Sequence, residues 1–452
     1  MFTPARLIKL NNTMMTLHGS STPFCDGVTR RGFLKAGFLG LGGLTLSDLL
    51  RIRAAAGTTG ISGRSVIYIE LAGGPSHFET YDPKPNAPQE YRGPFGVAKT
   101  NIPGIWFSEL MKEQAAVMDK LAVIRSIHHD SSSHDTSSHL TQTGYYKTSR
   151  KGGANTFPSV GAFTAKLKGP NTPGIPPYVA IGNKMRNGGA AFVGKAFGPF
   201  ETGGNPNDKV FNVRNLDLAA GLNVARLEDR RGLETTLDEA HRLVDNAGAA
   251  EAVDQFQQQA FELLLGDRAR RAFDISQEPA ANRDRYGRST VGQSLLLARR
   301  MVEAGSAFVT LRVSSWDDHT KIKDRMESKG PDYDRGVAAL VSDLHERGLD
   351  RNVLVVAMGE FGRTPRINRG AGRDHWGKVM SVLLAGGGLN VGQVIGASTP
   401  KGEEPADAPY RPEHVLAMVY RHLGIDPSIT IPDHSGRPRY LLEERKLISE
   451  LI

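Results

Sequence analysis

The chain has 452 residues, 39% hydrophobic and 23% charged, with a formal net charge of +8 and one cysteine. Residues 1–56 hold seven basic and two acidic residues, hence +5 of the +8, so the basicity is no nucleic-acid footprint, which needs Lys and Arg gathered on one face. The remaining 396 residues or so, near +3, suffice for one large core, and they contain no internal repeat and no low-complexity tract.

The first recognisable element is Thr29-Arg30-Arg31-Gly32-Phe33-Leu34-Lys35, followed by an apolar run from Ala36 to Leu46 and the small residues Ala54-Ala55-Ala56. Charged start, apolar core and small-residue cleavage site define a secretory leader, and the paired arginines point to the twin-arginine branch. Glycine, serine and threonine recur through the apolar run and argue against a basic amphipathic helix of the folded protein. Residues 1–56 are therefore expected to be a signal peptide read by the twin-arginine translocase, and the mature protein to be periplasmic or extracellular. The 29 residues before the arginines are long for such a leader and point to a start at Met14 or Met15. Cys25 lies in the leader, so the mature part has neither disulfide nor thiolate ligand. No later apolar stretch approaches the ~18 residues of a spanning helix, so residues 57–452 are expected to be a single domain that does not cross a membrane.

In chain order, Ser65–Leu71, Leu121–Ile127, Ala307–Val313, Asn352–Met358 and Ser381–Ala385 are short, β-branched, nearly continuous apolar runs. They read as strands covered on both faces, as in a parallel sheet. Thr290–Ala304, Tyr333–Arg347 and His414–His422 read as helices, each stopped by a glycine (Gly305, Gly348, Gly424). This alternation predicts an α/β fold: a doubly wound, mostly parallel sheet with helices on both faces. Pro83–Pro103 and Gly152–Asp208, rich in Gly, Pro and Asn, read as long ordered loops or a cap, and the charged segment 225–285 as an inserted helical layer.

Sites in open α/β sheets form beyond the carboxyl ends of strands. Here the strands run into polar clusters: Gly73-Gly74-Pro75-Ser76-His77, then 128–139 (HHDSSSHDTSSH), Trp316-Asp317-Asp318-His319 and Gly359-Glu360-Phe361-Gly362-Arg363, with Gly372-Arg373-Asp374-His375-Trp376 before the fifth strand. Seven of the thirteen histidines (77, 128, 129, 134, 139, 319 and 375) fall in these clusters. Histidine with carboxylate is a ligand set for zinc, manganese or iron. Arg363 and Arg373 offer guanidinium forks for a phosphate, sulfate or carboxylate, or salt bridges to Glu360 or Asp374. Thr136, Ser137 and Ser138 are nucleophile candidates near the start of a helix, where an anionic ester is favoured; helix capping is the alternative use of such hydroxyls. No dinucleotide or Walker A fingerprint is present.

The leader, 73–85 (GGPSHFETYDPKP), 128–146 (HHDSSSHDTSSHLTQTGYY), 157–163 (FPSVGAF), 286–309 (YGRSTVGQSLLLARRMVEAGSAFV), WDDH at 316–319, 359–368 (GEFGRTPRIN) and 372–398 (GRDHWGKVMSVLLAGGGLNVGQVIGAS) resemble the secreted bacterial family known as domain of unknown function 1501. The resemblance implies an alkaline-phosphatase-like sheet and the metal-assisted ester chemistry of alkaline phosphatases and sulfatases. The chain departs from that pattern at three points. Glu360-Phe361 stands where Asp-His is usual, Ala72-Gly73 where the first strand ends in an acid, and His134 near the usual nucleophile. The combined expectation is a hydrolase of phosphate or sulfate esters, small or on a glycan, that uses zinc, manganese or calcium. Its metal ligands would be His77, His139, Asp317, His319, Glu360, Asp374 and His375. Thr136 or Ser137 would be nucleophile, His134 a further site residue and Arg363 the anion clamp. The rival is a non-catalytic binding or scaffold protein on the same fold.

Overall fold

The computed structural model describes residues 63–147, 155–213 and 267–452. The expected signal peptide lies outside the described residues, as does 225–266 of the expected helical layer. The rest of that layer contains helices Asp267–Phe273 and Ala280–Tyr286.

Eight strands form one sheet. In chain order they are β1 (Ser65–Leu71), β2 (Leu121–Ile127), β3 (Tyr178–Ile181), β4 (Phe200–Glu201), β5 (Phe308–Val313), β6 (Val353–Gly359), β7 (Met380–Gly386) and β8 (Gln393–Ile395), arranged β8-β2-β7-β6-β1-β5-β3-β4. All five strands read from the sequence are present within a residue or two. Only β7 is antiparallel to its neighbours, β2 and β6. The apolar runs follow from two-sided burial. Ile67, Ile69 and Leu71 of β1 pack into one core with helices α3 (Thr290–Ala304) and α4 (Ile322–Glu346). Val66 and Tyr68 pack into the other, with α2 (Val160–Leu167) and α5 (Pro412–Leu423).

Three expectations change. The 152–208 stretch is more than loop, because it contributes α2, β3 and β4; strands of four and two residues carry too short a pattern to be read. The 83–103 stretch includes Val97–Lys99, which pairs with Trp106–Ser108 as a small hairpin. Helix α4 begins eleven residues before Tyr333 and continues through Pro331. A proline inside a helix costs about 3 kcal/mol. The early turns are anchored by buried Ile322 and Met326 and by Lys329, whose Nζ donates to Asp318 Oδ1 and Oδ2 at 2.6 Å. None of the described helices is long and apolar enough to cross a membrane.

The central strands β6, β1 and β5 are parallel and adjacent, so their carboxyl ends open at one place. The residues before β7 reach the same end because β7 runs the other way. Helix α1 (His134–Thr143) starts there too, after β2.

Candidate metal centre

Close packing of strand ends assembles the site. Gly73 has φ 117°, and a Cβ there would meet the Asp317 backbone nitrogen at 2.4 Å, so only glycine lets the loop after β5 approach so closely. The Gly73 N–H donates to Glu360 Oε2 at 2.7 Å, which ties the ends of β1 and β6 together. Arg363, fully buried, locks the third partner. It donates to the carbonyls of Gly73, Gly74, Trp316 and Arg373 and to Asp317 Oδ1 at 2.5 Å.

Around Asp317 three donors meet. His319 Nε2 and His375 Nε2 each lie 3.0 Å from Asp317 Oδ1 and 3.0 Å from each other. A fourth, His134 Nε2, lies 3.3 Å from Asp317 Oδ2. Second bonds set the proton positions. His375 Nδ1 is 2.9 Å from the Ser132 carbonyl and so carries the proton, and His319 Nδ1 is 2.7 Å from Asp374 Oδ1 and does the same. In the neutral rings both Nε2 atoms then present lone pairs to each other and to a carboxylate oxygen. Such a convergence of lone pairs is repulsive unless a cation lies among them. Zinc–nitrogen and zinc–oxygen bonds of about 2.0–2.2 Å place neighbouring donors roughly 3 Å apart, so the donor set fits a divalent cation by chemistry and by spacing. His134, Asp317 and His375 offer ligand atoms that all lie within 4.8 Å of one another.

The electrostatics agree. Burial opposes the Asp317 charge, but the bond from Arg363 and its positive charge outweigh it and hold the carboxyl well below the usual carboxylate range. Burial holds His375 below the ordinary imidazole value against the pull of Asp317, which keeps its Nε2 lone pair free at neutral pH. The bond from His319 lowers Asp374.

Of the residues expected from the sequence, His134, Asp317, His319 and His375 come together as potential ligands. Asp374 and Glu360 shift outward. Asp374 orients His319, and Glu360, with Oε1 3.4 Å from His134 Nδ1, stands behind His134. Carboxylates behind ligating imidazoles are the usual outer-shell arrangement.

The other expected residues do not join. His77 is buried, places Nε2 3.0 Å from the Gly402 carbonyl and packs at a tilt against the Phe78 ring, and burial pushes its pKa down to about 4. His139 has both ring nitrogens engaged: Nδ1 faces the Tyr145 carbonyl at 2.6 Å, while Nε2 accepts from the Thr156 and Phe157 backbone. It fastens a loop. The Ser137 hydroxyl is buried and donates to Ser131, whereas Thr136 is half-buried on the same first turn as His134. Neither caps the helix, since Ser133 is the N-cap and makes no side-chain cap bond. Arg363 cannot clamp a solvent-borne anion because its donors face backbone carbonyls and Asp317. Arg373 pairs with neither Glu360 nor Asp374. It forms a buried fork to Glu79, with Nε 3.0 Å from Oε2 and Nη2 2.9 Å from Oε1.

Two positions, Arg312 and Arg186, escaped the sequence reading, and His129, named there among the clustered histidines, has a bracing part. His129, buried, donates from Nε2 to the Glu360 carbonyl at 2.7 Å and accepts at Nδ1 from Ser131 N, so it braces the loop that carries the Ser132 carbonyl. Arg312 and Arg186 line a cleft of about 180 Å³ together with His134, Asp317 and Glu360. A charged residue within the apolar run of β5 was the available signal for Arg312; Arg186, on a loop, had none. A larger hollow of about 800 Å³ lies at the opposite, amino end of the sheet, lined by Arg64, Lys120, His345, Arg351 and Arg421. His345 and Arg421 belong to the last turns of α4 and α5, where cations answer the helix dipoles. His134 and Asp317 border the smaller cleft.

No curated protein sequence matches the chain. Among solved structures it is similar to the PsFucS1 sulfatase from Pseudoalteromonas sp., at 14% identity and TM-score 0.36 over 84% of this chain and 70% of that one. It is also similar to the structure described as Ps i-CgsB (10%, 0.36, 80% and 72%). A third is the lipoteichoic acid synthase LtaP from Listeria monocytogenes (10%, 0.31, 82% and 73%). The family described as "Protein of unknown function (DUF1501)" matches residues 63–452, and the chain belongs to that family.

Proposed function

We propose that the protein is an exported, metal-dependent hydrolase of phosphate or sulfate esters, acting on a small ester or on a phosphorylated or sulfated glycan. The observation that supports this reading is the approach of Asp317 Oδ1, His319 Nε2 and His375 Nε2 to 3.0 Å of one another, while the Nδ1 atoms of both rings are engaged by Asp374 and the Ser132 carbonyl. His134, Asp317, His319 and His375 would hold the cation. When bound, a divalent cation supplies Lewis acidity toward an ester oxygen and a nucleophile at neutral pH. Asp374 and the Ser132 carbonyl keep His319 and His375 in the ligating tautomer. Arg363 keeps Asp317 ionised and in place. Thr136, on the first turn of α1, would be the attacking hydroxyl, because the Ser137 hydroxyl is committed to Ser131. The leader suits this reading, since the twin-arginine route exports proteins already folded around a metal.

The rival, a binding protein without catalysis, draws on Phe361. Its buried ring lies 5.1 Å from the His134 ring and 4.4 Å from that of His375, and so fills space beside the cluster. Elemental analysis of the purified full chain, with a panel of chromogenic phosphate and sulfate esters, decides between them. The hydrolase reading expects bound metal and an activity that His319→Ala and His375→Ala abolish. Metal-free protein whose melting is unaltered by chelators, or silence with every metal, overturns it.

A further inference from the structure

The burial of Arg363 leaves the question of what would hold an anionic ester beside the metal group. We infer that Arg186 and Arg312 form an anion clamp for a tetrahedral oxyanion, phosphate or sulfate, in the cleft bounded by His134, Asp317 and Glu360. This deepens the hydrolase reading and rests on it for the metal, but not for the anion.

The two arginines reach the cleft by different routes. In the parallel pairing of β1 with β5, Glu70 lies opposite Arg312. Glu70 is 1% exposed, and the Arg312 side chain is 34% exposed. Arg312 Nε is 3.4 Å from Glu70 Oε2, too poorly placed for a hydrogen bond, and both Glu70 oxygens and Arg312 Nε are buried without a hydrogen-bond partner. Glu70 thus lies behind Arg312 without engaging the fork in a hydrogen bond. The guanidinium is directed into the cleft, where Ser314 and Ser315 also lie. Arg186 is exposed on the loop after β3, and its side chain donates no hydrogen bond among the described residues.

The cleft therefore has lone-pair donors and carboxylates on one wall and, on the other, two guanidinium groups whose side chains donate no hydrogen bond among the described residues. A small group carrying several anionic oxygens satisfies both walls once a cation is present. Planar forks suit tetrahedral oxyanions better than a point charge does. The cleft, about 180 Å³, has room for a phosphate or sulfate group but not for a whole glycan. The rest of a large substrate would lie outside it.

The test is calorimetric titration of the full chain with inorganic phosphate and, separately, inorganic sulfate, at fixed ionic strength. Each is done on chelator-treated protein and on protein given one equivalent of zinc. Arg186→Gln and Arg312→Gln should each weaken anion binding roughly tenfold to a hundredfold, the range for one charge-assisted contact. Zinc stoichiometry should stay as in the wild type. Arg312→Lys, which keeps a charge opposite Glu70, guards against misfolding and should lie between wild type and Arg312→Gln. The preferred anion separates a phosphate-ester site from a sulfate-ester site. Loss of zinc in His375→Ala tests the metal reading by itself, and arginine-dependent anion binding to metal-free protein supports the clamp even if that reading fails. Unchanged anion affinity in both glutamine variants, or binding of neither anion by the wild type, overturns the inference.

Discussion

Breaking the Glu79–Arg373 pair should cost far more than any surface ion pair. Arg373 is fully buried and Glu79 is 1% exposed. Beyond the fork to Glu79, Arg373 donates to the carbonyls of Tyr91, Thr364 and Pro365, and its guanidinium lies 4.0 Å over the Phe78 ring. Arg373→Met would leave a buried carboxylate without its cation and three carbonyls without their donor. Removing one partner of a buried pair costs about 3–5 kcal/mol, and the stranded carbonyls push the figure toward the upper end. Glu79→Leu should fall in the same range, because it strands the guanidinium. The double variant Glu79→Leu/Arg373→Met removes both charges, and its loss should fall short of the sum of the singles by at least about 2 kcal/mol. Urea unfolding of chelator-treated protein, followed by fluorescence and circular dichroism together, measures all three. Losses of about 1 kcal/mol or less in the single variants, the range of exposed pairs, would refute the reasoning. Because Arg373 is followed directly by Asp374 and His375, the same single variant should also weaken zinc binding.

Further outcomes follow from the same geometry. Asp374→Asn should reduce zinc affinity by roughly tenfold to a hundredfold in a competitive chelator titration, as for an outer-shell partner; complete loss of bound zinc would return Asp374 to the ligand set. Burial pushes His129 from 6.5 down to about 4, against the bond to the Glu360 carbonyl. The unfolded chain therefore binds the extra proton first as pH falls, so the contribution is complete above about pH 6.5 and declines by up to ~1.4 kcal/mol per pH unit toward pH 4. His129→Gln should make the pH dependence of the urea midpoint shallower by about one proton in that window, and superimposable curves would sink this assignment. If the hydrolase reading holds, Thr136→Ala should lower kcat by roughly 10³-fold or more, while Ser137→Ala has a much smaller effect; the reverse order would move the nucleophile to Ser137.

Much of the fold was legible because its causes are local. Strands buried on both faces must be apolar throughout, so 65–71 and 352–358 announced themselves without any partner in view. Helix ends carried their glycines. The gathering of His and Asp at one end of the sheet could be read too, since they follow strand after strand. The reading failed where the local signal was short: β3 and β4 are too brief to show a period, and α4 begins eleven residues before Tyr333, with Pro331 carried inside it by the packing around it.

What the chain composition and spacing determined, then, is an α/β sheet whose carboxyl end collects histidines and acids. What only the tertiary structure decided is the part each of them plays. Asp317 meets His134 across 183 residues of sequence, and Arg373 meets Glu79 across 294. Whether an imidazole is a ligand, a loop fastener like His139 or a buried donor like His77 depends on what its second nitrogen touches. Whether an arginine clamps an anion or, like Arg363, ties strand ends together depends on which carbonyls surround it. Those contacts are set by strand order and by the direction of β7, and no window of sequence contains them.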